Sequence, residues 1–161
     1  MKHILTLLAI GVFILGRPHR IHAQSADRNI LNIHATGSDR GAVNAARDFW
    51  KRHGDLHNEQ WFRLQFGYLA EFKENNIKNK TVYDRKGSWL YTIREYGEWQ
   101  LPEATRTLVK STWFDFAITM VKEVHQGADL IYVMRLDGLK RWMDIAVQDG
   151  EMRVIQDFAK P

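Results

Sequence analysis

From Phe62 to Phe72 the chain reads FRLQFGYLAEF, and Phe62, Leu64, Phe66, Tyr68, Ala70 and Phe72 occupy every second position. A β-strand sends successive side chains to opposite faces, so this run predicts one long strand buried on one face. Gly67 sits inside it, where a missing side chain suits a bend. The same alternation returns at Phe114, Phe116, Ile118 and Met120, and three further strand candidates follow in DLIYVMRL, RWMDIAVQ and EMRVIQDF. A sheet with one apolar face needs a second layer to cover it.

Two stretches of helical spacing supply that layer. Between Gly41 and His53, Val43, Ala46, Phe49 and Trp50 recur at the helical period, with Ser38 placed to cap the start and Gly54 to stop the end. The second helix spans residues 102–112. Pro102 suits a helix start, Glu103 suits its positive end, and Ala104, Leu108 and Ser111 form an inward stripe. ENNIKNK reads as a turn, KTVY and SWLYTIREY as strands on either side of DRKG, and QDGE as a tight hairpin. The order is helix, strand, strand, strand, then the same with one extra strand. This predicts an α+β fold: an antiparallel sheet with helices on one face, built from tandem repeats at about 40–100 and 101–158, within a domain covering 40–161.

The ends of the chain read differently. A basic start, an apolar run from Ile4 to Gly16 and a small residue at Ala23 give residues 1–23 the layout of a secretory signal peptide, cleaved after about Ala23. The apolar run is short for a membrane span, so a periplasmic or secreted product with no membrane attachment is expected. Residues 24–39 read as a linker or flexible arm. The signal segment carries three bases and no acids, so the remaining chain has 20 bases against 19 acids. That near-neutrality argues against a nucleic-acid partner, which needs a concentrated basic surface. With no cysteine, there is no disulfide framework and no thiol nucleophile.

RDFWKRH, WFRLQFGYLAEF, TVYDRKGSWLYT, LPEATRTLV and AVQDGEMRVI occur in that order, and the ordered set resembles the PepSY-like family, whose fold is similar to beta-lactamase-inhibitory proteins. The resemblance spans roughly residues 40–158, about one domain. It implies a small exported bacterial protein of a kind common in the Bacteroidetes. It does not imply that a beta-lactamase is inhibited. Such proteins often carry a Phe-Pro-type loop before the first strand; here that segment is HGDLHNEQW, without proline.

Catalytic signatures are missing. There is no nucleophile elbow, phosphate loop or dinucleotide fingerprint. His53 and His57 are four apart, but Gly54 interrupts the helix that would align them on a metal. Asp115, Glu123, Asp129, Asp137 and Asp144 are scattered and read as outward strand residues, and NKT at 79–81 is a chance sequon. No cofactor is expected. The aromatic residues say more. Phe62, Phe66, Phe72, Phe114 and Phe116 are core candidates. A DRKG turn with a glycine bulge pairs Tyr83 with Trp89 and Thr81 with Tyr91, leaving Val82 and Leu90 toward the core. Tyr83, Trp89, Tyr91 and Trp142, joined by Trp61, then form an exposed sheet face suited to a protein or peptide partner. The sequence thus predicts a non-enzymatic binding module, one that could inhibit its partner in the manner of its fold relatives. The alternatives are a periplasmic small-ligand or envelope-stress binding protein and an unrecognised hydrolase.

Overall fold

The computed structural model describes residues 29–30 and 39–161; the proposed signal segment lies outside them. Strands β1 (Asn29–Ile30), β2 (Gln60–Leu64), β3 (Gly67–Glu74), β4 (Ile77–Asp84), β5 (Trp89–Tyr96), β6 (Ala117–Gln126), β7 (Asp129–Asp137), β8 (Arg141–Gln148) and β9 (Glu151–Ala159) form one sheet. Neighbours in sequence are neighbours in space, and all of these strands pair antiparallel. Helix α1 (Arg40–His53) precedes β2–β5, and helix α2 (Glu103–Thr112) precedes β6–β9. Of the segment 24–39, Asn29 and Ile30 pair with Arg63 and Phe62 as an added edge strand.

Both helices lie on one face. Under α1, Phe49 meets Trp61 and Phe72 edge-on at 5.3 and 5.0 Å, with Tyr68, Ala70 and Tyr83 completing the cluster. Under α2, Val109 packs with Val121, Met134, Leu136, Met143 and Ile145. The inward stripe of α1 is Ala42, Ala45, Ala46 and Phe49, whereas Trp50 is exposed. Asp39, and not Ser38, caps this helix, accepting from the Ala42 N–H. In α2 the buried residue is Val109, while Ala104 and Ser111 are exposed.

The expected long strand at 62–72 is two strands. Leu64 pairs with Gly67 across the two-residue loop Gln65–Phe66. A two-residue loop pairs residue i with i+3, so the parity of every side chain changes at the turn. Phe62 therefore faces away from the helices and Tyr68 faces toward them, although both are buried. Phe66 sits in the turn, 40% exposed, and Phe114 is exposed as well. ENNIKNK is mostly strand: Asn75 and Asn76, with φ of 50° and 64°, make the whole turn. Positive φ at both centres is the geometry of the hairpin turn that matches strand twist. Asp149 and Gly150, with φ of 52° and 78°, turn β8 into β9 likewise, and Val147–Met152 and Ile145–Val154 pair as a two-residue Asp-Gly turn requires.

Candidate functional site

The DRKG turn decides where the aromatics point. Asp84 accepts from the Lys86 and Ser88 N–H groups, Gly87 takes φ of 83°, and the Asp84 N–H returns to the Ser88 carbonyl. These backbone contacts, led by the one from Ser88, hold the Asp84 carboxyl below its ordinary pKa. Tyr83 pairs with Trp89 as expected. The register then shifts, so that Val82 pairs with Tyr91 and Thr81 with Thr92. Leu90 is the extra residue of a bulge, and a bulge of one residue exchanges the faces beyond it. Tyr83 and Tyr91 consequently lie on opposite sides of the sheet.

The turn also presses on α1. A Cβ at Gly87 would meet the Gly41 carbonyl at 2.4 Å, and one at Gly41 would meet the Arg85 carbonyl at 2.2 Å. Asn44 Nδ2 donates to the Lys86 carbonyl. With the turn pinned there, Tyr83 is fully buried and Trp61 is 3% exposed, so the expectation of an exposed position fails for both. Burial pushes the Tyr83 hydroxyl pKa far up. Trp89 is half-buried on the same side, donating to Thr92 Oγ1, with the Arg52 guanidinium 4.6 Å above its ring. Tyr91 and Trp142 face away from the helices, half-buried and 40% exposed respectively. They lie three strands apart and roughly 30 Å from each other along the sheet. The five residues do not form one patch.

The face turned from the helices is instead organised by rows across the strands. Ile93, Val124 and Ile131 pair in one row, and Val133 and Ala146 in the next, with Ile155 packed beside them. Phe62, Leu69, Val82 and Tyr91 form a second apolar row. No described helix covers this face. Arg135 holds Asp144 through two hydrogen bonds of 2.9 and 2.8 Å. A pocket of about 410 Å³ opens across β2–β5, with Gln60, Glu71, Lys73, Lys78, Lys80 and Glu95 in its wall. A second, of about 320 Å³, lies between α2 and the β8–β9 turn, lined in part by Leu108, Tyr132 and Val147.

Two acids expected at the surface are buried, Asp144 and Glu123. Glu123 lies on the helix side, in the gap between the two cores. Its Oε1 meets Arg94 Nη1 at 2.8 Å and His125 Nε2 at 2.6 Å, and its Oε2 accepts from the Tyr96 hydroxyl. Burial works to raise the Glu123 pKa, but Tyr96, His125 and Arg94 outweigh it and hold the carboxyl below its ordinary value. Burial, followed by the bond to Glu123, drives the Tyr96 hydroxyl far up. The sequence carries a trace of this cluster: Arg94-x-Tyr96 and Glu123-x-His125 put polar groups at the inward beat of two strands. Glu123 lines neither pocket. His53 rests on Phe49 and Phe72 at 4.9 and 4.6 Å, and His57 pairs with Asp55. No metal-sized group of acids and histidines occurs among the described residues. Asn79 of the NKT triplet is buried and donates to the Ile77 carbonyl.

Among the described residues, one antiparallel sheet with two helices on one face defines an α+β protein of BLIP-like fold. Solved structures sharing it include a BLIP-like protein from Bacteroides fragilis, with a TM-score of 0.61 and 15% identity over 73% of this chain and 84% of that one. A DUF2874 family protein from Bacteroides ovatus matches with a TM-score of 0.60 and 15% identity over 70% and 86%. A protein from Bacteroides eggerthii, provisionally described as periplasmic, matches with a TM-score of 0.60 and 14% identity over 72% and 86%. Neither a protein-family model nor a curated protein matches the sequence. No described helix is long and apolar enough to cross a membrane.

Proposed function

We propose that the protein is an exported, non-enzymatic binding module that holds a protein or peptide on the open face of its sheet. The observation that carries this reading is the face itself: its apolar rows across β2–β8 lie under no described helix, and while Phe62, Val82, Val124, Ile131 and Ala146 are buried, Leu69, Tyr91, Ile93, Val133 and Ile155 are half-buried and Trp142 is 40% exposed. Apolar side chains left in reach of solvent beside one another, as Tyr91 and Ile93 are on β5, mark interaction sites. The signal-like start and the periplasmic description of one structural neighbour support export through residues 1–23. The helix-plus-four-strand order, met twice, supports a tandem duplication and a divergent PepSY-like origin.

The reading is tested by capture from envelope extract with the mature protein as bait. A Tyr91→Ala/Trp142→Ala double variant should lose the captured protein. Trp99→Ala, at a residue 77% exposed outside the sheet, should retain it. Retention by the double variant would remove the open face from the function. The pocket under α2 favours a second reading, a small apolar ligand; binding of an apolar fluorescent probe that is lost on Leu108→Glu and kept by the double variant would support it.

A further inference from the structure

One row on the open face differs from its neighbours. Lys73 pairs with Lys78, Lys78 with Glu95, and Glu95 with Lys122. Val133 and Ala146 continue it to Arg153 on β9. The row thus crosses seven strands with four bases and one acid, whereas residues 24–161 as a whole are almost balanced. None of these five charged groups makes an ion pair with a described residue. The other acids of this face that stand outside ion pairs, Asp84, Asp129 and Glu151, sit at strand ends, as does Asp137, which pairs with Lys160.

Lysines directly opposite each other on adjacent strands destabilise a sheet. Lys73 and Lys78 do so, with Glu95 opposite Lys78 on the other side but in no ion pair with it, and the 410 Å³ pocket they share with Lys80, Glu71 and Glu95 holds three bases against two acids. A surface that keeps such a cost offers unmet positive charge to something else. We infer that the occupant of the open face is an acidic, apolar-bearing segment of protein chain, laid in extended form along this row. The inference rests on the proposed role of the open face and names its partner's chemistry. Six strand spacings of ~4.8 Å give a track of about 29 Å, which an extended chain spans with about nine residues. Carboxylates would meet Lys73, Lys78, Lys122 and Arg153, and an apolar side chain would meet the half-buried Val133.

Calorimetric titration of the mature protein with capped peptides of Glu-Leu-Glu-Ser, Gln-Leu-Gln-Ser and Lys-Leu-Lys-Ser repeats tests this. The Glu peptide should bind at least about tenfold more tightly than the Gln peptide, with the Lys peptide weakest. Raising salt from about 20 to about 500 mM should erode that preference, because exposed charge is screened. Lys78→Glu/Lys122→Glu should remove it, and Arg153→Glu, at an exposed position, should weaken it if the first variant folds poorly. Equal binding of the three peptides, lost on Trp142→Ala, would overturn the acidic partner and leave the open face as a binding surface. Binding of none would overturn the inference, while the capture experiment would still decide the role of the face.

Discussion

Gly67 has no room for a side chain: a Cβ there would lie 1.9 Å from the Tyr83 carbonyl. That contact brings β3 against β4 and sets Tyr68 opposite Tyr83 under α1. Aromatic residues then divide by what they touch. Tyr83 is enclosed by the α1 core, and Tyr83→Ala should destabilise the protein by about 3–5 kcal/mol, the range for deleting a buried aromatic ring. Trp142 is 40% exposed, with Lys160 5.4 Å over its ring, and Trp142→Ala should cost less than about 1 kcal/mol. Urea unfolding of the two variants checks this; similar midpoints would mean that the faces are misassigned. Aromatic content alone, with six Trp, five Tyr and eight Phe, carries no such distinction.

At the scale of elements, turns and bulges set the outcome. The sequence shows strands, hairpins at DRKG and QDGE, and two helices at nearly their observed places. What it hides is parity. Gln65–Phe66 reverses the chain without breaking the alternation of apolar residues, and the Leu90 bulge exchanges faces within a run that reads as regular. The join between β5 and β6 is another element-scale feature, because Arg94 and Tyr96 on one strand hold Glu123 on the other. Glu123 has its pKa lowered by folding from an ordinary 4.5, so its contribution is complete above that value and is lost as pH falls through the folded pKa. Glu123→Gln should therefore cost about 1–3 kcal/mol near neutral pH, as for hydrogen bonds to a charged group. The gap between the two proteins should close as acid is added. Chemical unfolding at several pH values measures it, and a gap independent of pH would show that the charge is not what matters.

For the whole molecule, one meandering sheet carries two apolar cores on its helix side, each under its own helix, and a smaller buried cluster of Val124, Ile131 and Ala146 on the other side. Central strands are paired on both sides, whereas β9 pairs with β8 alone among the described residues. Amide exchange should be slowest in β6 and β7, and fast for those β9 amides that point away from β8. Uniform protection across β9 would reveal a partner strand on that edge, such as a second copy. By itself the sequence determined the α+β class, the helices, the turns at ENNIKNK, DRKG and QDGE and the pairing of β8 with β9, because hydrophobic period and turn chemistry are local properties. Tertiary structure alone decided which face each aromatic occupies, which acids are buried, and which charges align in a row across strands. Those depend on register, and a one-residue shift at a turn or bulge, invisible in a periodic sequence, moves every side chain beyond it to the other side of the sheet.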